Sequence, residues 1–301
     1  DSALALLNRD TIDEKSCSCL YLSRAHHCDS FDYFNPSIPE PSIYSLPRLF
    51  GAKLAAFVDE GRFDLVTINP DEVSAQQALI IKAHNDGNPL VDKSEIQAFL
   101  AQLKYPLHFL DYETFLSAVP IVDGYRPQEQ LPFQFSVHVL HEDGRLDHSE
   151  YLADYPTRPE ALIKALHDAI QPTGSVLAWN KAFENGQNKN MGKQCPHAED
   201  FLLDVVDRTV DLMDIFKTGY VDTGFDGSTS IKKVLPVLIP ELSYQSLEIS
   251  DGGAAMEAWG EMIAMTDLIK KNKIREALLD YCKLDTLAMV RIYQFINQLK
   301  R

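Results

Sequence analysis

The sequence lacks any uninterrupted apolar run near the ~18–20 residues that a membrane-spanning helix needs, so no span is expected in its 301 residues. It is also short of positive charge. Lys and Arg number 28 against 44 Asp and Glu, a formal net charge of −16. A protein that holds nucleic acid by broad phosphate neutralisation is usually basic. A nucleic-acid partner would therefore have to be bound locally, briefly and with help from metal ions. Five cysteines are too few for a disulfide scaffold at this length. Internal repeats and low-complexity tracts are missing. The opening Asp1-Ser2-Ala3-Leu4 carries neither an initiator Met nor a charged-then-apolar leader. A cytoplasmic location and a longer parent chain are the expectations.

What is present is an ordinary globular composition, 45% hydrophobic and 24% charged, with enough apolar material for a core. Three parts are expected. Residues 1–48 hold a cysteine-bearing segment and a connector with Pro36, Pro39, Pro41 and Pro47. Within it, Cys17-Ser18-Cys19 and His26-His27-Cys28 place three thiols and two imidazoles close together. Such groups bind Zn²⁺ or an iron–sulfur cluster, or are simply reduced cysteines near a surface. The one-residue gap departs from the usual C-x2-C pair, and no fourth ligand is evident. Residues 49–104 read as a small helical module. One helix covers Leu54–Val58, a second runs from Pro70 to about His84, and a third opens at a capping box, Ser94-Glu95-Ile96-Gln97.

From Tyr105 to the end the texture is α/β. Strands are expected at 107–113, 133–140, 148–153, 175–180 and 209–216. Helices are expected at 159–170, from about 182, at 198–207, 231–238, 254–271 and 274–299. Three strands on short connections, followed by alternating helices and strands, make a mixed five-stranded sheet with helices on its faces.

Four acidic positions stand out. Asp111 and Glu113 close an apolar run, Leu107-His108-Phe109-Leu110. Two residues apart on a strand, they share a face, where like charges conflict unless a cation joins them. Alone, they read equally well as a solvated strand end. In Asn180-Lys181-Ala182-Phe183-Glu184, a strand ends at Asn180 and Glu184 falls on the first turn of a helix, where the dipole favours an acid in any case. Tyr281 and Asp285 are spaced i, i+4 on a helix flanked by apolar residues, fit for a site or for a structural hydrogen bond. Asp211 reads first as a local cap for the segment after it.

The order D-x-E, then N-x2-F-acid, then Y-x3-D resembles the proofreading-type, DnaQ-like 3′–5′ exonucleases of the DEDD superfamily, in the subclass with a tyrosine in its third motif. The resemblance covers about residues 105–299. It is nearer still to an uncharacterised bacterial domain family with runs similar to Phe109-Leu110-Asp111-Tyr112-Glu113-Thr114, Pro132-Phe133-Gln134-Phe135-Ser136 and Ser230-Ile231-Lys232-Lys233-Val234-Leu235-Pro236. Some members of that family carry a cysteine-bearing segment behind a RecB-like nuclease domain, so an upstream nuclease domain is one expected partner. The resemblance implies a ribonuclease H-like fold and two Mg²⁺ or Mn²⁺ ions. It also implies hydrolysis of phosphodiester bonds at a free 3′ end, DNA or RNA being undecided. Asp111 would bridge the ions. Glu113 and Asp285 would complete one inner shell, Glu184 would bind the other ion through water, and Tyr281 would orient the attacking water. The second motif ends in Glu184 where the superfamily has Asp, a departure of one methylene.

Supporting roles fall to Asn180, which holds the turn of the second motif, and to Asp211 and Lys232. Lys232, Lys233, Lys181 and Arg126 read as solvated charges before phosphate contacts. Phe115, Tyr112 and Phe183 are candidates to stack on a terminal base, with core packing the plainer reading for Phe183. His108 and His138 read as core histidines, and Cys195 and Cys282 as structural. Two other functions compete with the exonuclease. One is a catalytically weak or inactive binding module on the same fold. The other is a hydrolase of short oligonucleotides or nucleotides, which an acidic surface suits.

Overall fold

In the strand Leu107–Phe115 the alternation of side chains sends Phe109, Asp111 and Glu113 to one face and Leu110 and Tyr112 to the other, and the sheet is built around that division. The computed structural model describes residues 17–300 together with 4, 5, 8 and 9, the side chain of Ser246 excepted. The expectations resting on Asp1-Ser2-Ala3 lie outside the described residues. The strands are β1 (Leu90–Val91), β2 (Leu107–Phe115), β3 (Leu131–Leu140), β4 (Leu146–Leu152), β5 (Val176–Ala178), β6 (Thr209–Asp211) and β7 (Tyr220–Val221).

The chain divides into two units, residues 1–91 with 220–228 and residues 92–219 with 229–301. The first has its own core of Ile43, Leu54, Leu65 and Ile81, and β1 pairs antiparallel with β7. The helix expected from Pro70 to His84 is interrupted. Pro70–Glu72 is a single 3-10 turn, and Ser74 caps a new helix, Ala75–Asp86, through a reciprocal capping box with Gln77.

In the second unit the order β4-β3-β2-β5-β6 is a mixed α/β sheet of the ribonuclease H-like kind. β4, β3 and β2 are antiparallel, and β2, β5 and β6 are parallel. Its helix Lys93–Ala101 is capped by Asp92, whose carboxylate accepts from the backbone of Ser94 and Glu95. Ser94 is therefore inside the helix rather than its cap. The strand expected at 209–216 stops at Asp211, because the Asp211 side chain accepts from Met213 N–H and turns the chain into a 3-10 segment. The last two helices divide earlier than the sequence suggests. Gly252–Ala264 ends before Asp267, which caps a single helix, Leu268–Leu299.

One face of the sheet packs on the helices Glu160–Ala169, Lys181–Gln194 and Glu199–Asp207 through Leu110, Tyr112, Val137, Leu166, Met191 and Leu202. The other is covered by Gly252–Ala264 and Leu268–Leu299. Trp259 stacks on Phe133 at 4.7 Å and donates to Ala153 O, and Phe109 meets Tyr293 at 5.8 Å. Polar bonds fix the long helix across β3. Gln134 Nε2 donates to Leu278 O at 2.8 Å, and Thr286 Oγ1 lies 2.7 Å from Ser136 Oγ and 2.8 Å from His138 Nδ1. Gln134 and Ser136 are the β3 partners of Glu113 and Asp111. The same bonds therefore hold residues 278–286 over the acidic end of β2.

Candidate metal site

Asp111 and Glu113 point from β2 toward the long helix, as period-2 geometry requires. Opposite them the helix presents Tyr281, Cys282 and Asp285, all buried. Cys282 Sγ lies 3.5 Å from Asp111 Oδ2, and ligand atoms of Asp111, Glu113 and Cys282 fall within 4.8 Å of one another. Glu184 arrives from the first turn of Lys181–Gln194, at the carboxyl end of β5, and is 2% exposed. The four carboxylates named from sequence thus come together from three separate elements.

Their electrostatics show the conflict that their spacing implied. Burial raises Asp111 well above the usual carboxylate range, and the Asp285 charge adds to it. Burial also raises Glu113, with Asp111 and Asp285 as the next causes, and Glu184, with Asp111 the largest neighbour. Asp285 is pushed up to about 6 by burial, held down in part by hydrogen bonds from Tyr244 and Tyr281 and by the charge of Lys232. Like charges withdrawn from water favour protonation unless a cation takes the proton's place. Glu184 Oε2 is fully buried and has no hydrogen-bond partner. An orphaned carboxylate oxygen facing other carboxylates fits a hard divalent cation, which prefers oxygen ligands. These residues could hold such an ion.

Asn180 and Asp211 position Glu184. Asn180 takes the left-handed conformation, φ 70°, which asparagine tolerates better than most residues. Asp211 Oδ1 accepts from Asn180 N–H and Oδ2 from Lys181 N–H, each at 3.0 Å. Asp211 thereby satisfies the start of that helix as well as the segment after it, where Met213 N–H donates to Oδ1; the second bond fits its reading as a local cap, and the first was not anticipated.

Several assignments change. Lys232 is half-buried rather than solvated, its Nζ 5.3 Å from the Tyr281 ring centroid and 5.7 Å from that of Tyr244. Tyr112 does not face a substrate: it is 2% exposed, and its hydroxyl donates to Asn188 Oδ1 in the core. Phe115 packs on Trp259 at 5.3 Å, and Phe183 packs against the opposite core. Cys282 belongs to the acidic cluster rather than to plain packing, and its neighbour position to Tyr281 on a buried helix face was the available signal. Tyr244, whose hydroxyl donates to Asp285 Oδ1 at 2.5 Å, was missed altogether. It lies in a 3-10 turn with no motif around it. His108 is a satisfied core histidine, with Nδ1 on Ser175 O and Nε2 accepting from Gln171 N–H.

In the first unit the sulfurs of Cys17, Cys19 and Cys28 lie within 4.8 Å of one another, with no disulfide between them. The neighbouring histidines are engaged elsewhere. His27 stacks on Phe31 at 3.6 Å and bonds Leu22 O, and His26 meets Ser23 Oγ.

Residues 108–230 match the model of a domain of unknown function, DUF2779. That stretch holds Asp111, Glu113 and Glu184 and stops short of Tyr281 and Asp285. The chain is similar to the uncharacterized protein MG366 homolog of Mycoplasma pneumoniae, 26% identical over 244 residues that cover 72% of this chain and 36% of that protein. It is also similar to the uncharacterized protein MG366 of Mycoplasma genitalium, 27% identical over 219 residues, 66% of this chain and 33% of that one. The matched region thus spans about a third of the length of these curated relatives. No solved structure matches the chain. Among the described residues, no helix is long and apolar enough to cross a membrane.

Proposed function

We propose that the chain is a metal-dependent 3′–5′ exonuclease of the DEDD type acting on single-stranded nucleic acid. The observation that carries this reading is the convergence of Asp111, Glu113, Glu184 and Asp285, with Glu184 Oε2 buried and unpartnered. When bound, Mg²⁺ or Mn²⁺ ions supply an activated water and stabilise the charge on the attacking and leaving oxygens. Asp111, Glu113 and Asp285 would hold one ion, and Asp111 and Glu184 the other. The Tyr281 phenol is raised by burial and by Asp285, so it remains protonated and orients the nucleophile by hydrogen bonding rather than taking its proton. Tyr244 holds Asp285 in place.

The test is hydrolysis of a 5′-labelled single strand with Mn²⁺, by wild type and by Asp111→Ala. Stepwise loss from the 3′ end, abolished in the variant, supports the reading. Equal activity in both proteins removes it. A dinucleotide run in parallel decides for the short-substrate hydrolase if it is cleaved in preference. Mn²⁺ binding without cleavage of either substrate decides for a binding module.

A second reading concerns the first unit. Three thiols within 4.8 Å of one another are a thiolate site for Zn²⁺ or an iron–sulfur cluster that lacks one ligand. Metal analysis of purified protein tests it: the absence of both iron and zinc would sink it.

A further inference from the structure

Lys232 is the second residue of the helix Ile231–Leu238, whose Val234, Leu235 and Leu238 are buried. That packing fixes the backbone at Lys232, whose ammonium lies near two phenol rings, 5.3 Å from the centre of Tyr281 and 5.7 Å from that of Tyr244. Tyr244 bonds Asp285, and Tyr281 precedes it by one helical turn. We propose that Lys232 is the phosphate-holding residue of this site, recognising the non-bridging oxygens of the scissile phosphodiester; the proposal rests on the nuclease reading above.

Three arguments support it. Ring faces hold a cation through their quadrupoles and offer it no oxygen acceptor. An ammonium held this way keeps its donors for oxygen acceptors, whereas one locked in a bidentate ion pair does not. The second argument is position. The ammonium lies beside the ring of Tyr244, which bonds Asp285, and beside that of Tyr281, one helical turn before Asp285. Lys232 therefore flanks the Asp285 side of the cluster. The third is charge. Four carboxylates and two divalent ions form a neutral cluster, so the negative charge of a phosphodiester needs one further cation. A compact ammonium on a flexible stem can follow that charge as it moves between oxygens.

A cation in this position does two opposite things. It repels divalent ions, and it attracts phosphate. A residue that only packs does neither. The test compares wild type, Lys232→Gln and Lys232→Arg by calorimetric titration, first with Mn²⁺ alone and then with a nucleoside 5′-monophosphate at saturating Mn²⁺. Lys232→Gln should bind Mn²⁺ about threefold more tightly and the monophosphate about tenfold more weakly. Lys232→Arg, which keeps the charge, should return Mn²⁺ affinity to the wild-type value. Lys232→Met, which keeps the apolar stem against the rings, carries the same comparison if the Gln variant melts early. Unchanged monophosphate affinity in a folded Lys232→Gln or Lys232→Met protein overturns the assignment while leaving the nuclease reading intact. A wild-type protein that binds no Mn²⁺ overturns both.

Discussion

The Tyr244 hydroxyl donates to Asp285 Oδ1 at 2.5 Å, joining a turn to a helix 41 positions further along the chain. This bond favours the charged form of Asp285, which burial otherwise pushes up to about 6. Tyr244→Phe keeps the ring and removes the donor. The Asp285 titration should then rise by about one pH unit, the effect of losing a hydrogen bond to a charged group. A protonated carboxyl is a poor ligand. Mn²⁺ binding by the variant should therefore be weaker than wild type near pH 6.5, with the gap closing by about pH 8.5. Titrations at these two pH values check it, and an equal deficit at both contradicts it.

Asp111 trades stability for function. Its charge is opposed by Asp285 and adds to the burden on Glu113 and Glu184. Asp111→Asn should raise the melting temperature of metal-free protein, because the folded state no longer gathers as many like charges. The same change should lower nuclease activity by about a thousandfold, the order expected for losing a metal ligand. Chelation of wild type should lower its melting temperature, and Mn²⁺ should restore it in a concentration-dependent way. Differential scanning calorimetry with and without chelator measures both proteins.

His108 sets an acid limit on folding. It is fully buried and neutral, and burial lowers it to about 4. The unfolded histidine takes up its proton near 6.5, so the unfolded state binds more protons between those values. The stabilisation is complete above about pH 6.5 and is lost as pH falls toward 4, amounting to about 3 kcal/mol for this group. His138 and His148, lowered to about 3 and about 4, act in the same direction. Urea midpoints at pH 7 and pH 5 should differ more for wild type than for His108→Gln.

The cysteines should react in a definite order. Cys28 is exposed, and its thiol is lowered by a hydrogen bond from Ser30 and by its neighbours Cys19 and Cys17. Cys282 is fully buried, and burial and the surrounding carboxylates push it up. Thiolates rather than thiols attack disulfide reagents. Cys28 should be modified first and Cys282 only on unfolding, as peptide mapping after timed labelling would show. A Cys28 that resists labelling until chelator is added would be direct support for bound metal in the first unit.

How much was legible followed the range of each cause. The D-x-E pair announced itself because strand period and charge conflict are local, and the i, i+4 pair Tyr281/Asp285 because helical period is local. The mixed sheet was legible because three strands on short connections are followed by helices and strands in alternation. Tyr244 was not, since its role depends on a turn brought to Asp285 by the fold rather than by any nearby pattern. Lys232 misled for the same reason: nothing in its neighbours shows that two ring faces await it. Helix ends were read wrongly at Ser94 and Ala254–Lys271 because competing caps, Asp92 and Asp267, bond the first-turn backbone N–H groups more directly.

Cys282 meets Asp111 across 171 positions of sequence. The acidic end of β2 is therefore made before the helix Leu268–Leu299 and completed only when that helix crosses it. A chain cut before Leu268 still carries the residues that pair β2 with β3, but it has no Asp285, no Tyr281 and no wall opposite Asp111. Completion of this cluster is thus a long-range event, set by the last helix of the unit rather than by the strand that supplies its first two carboxylates.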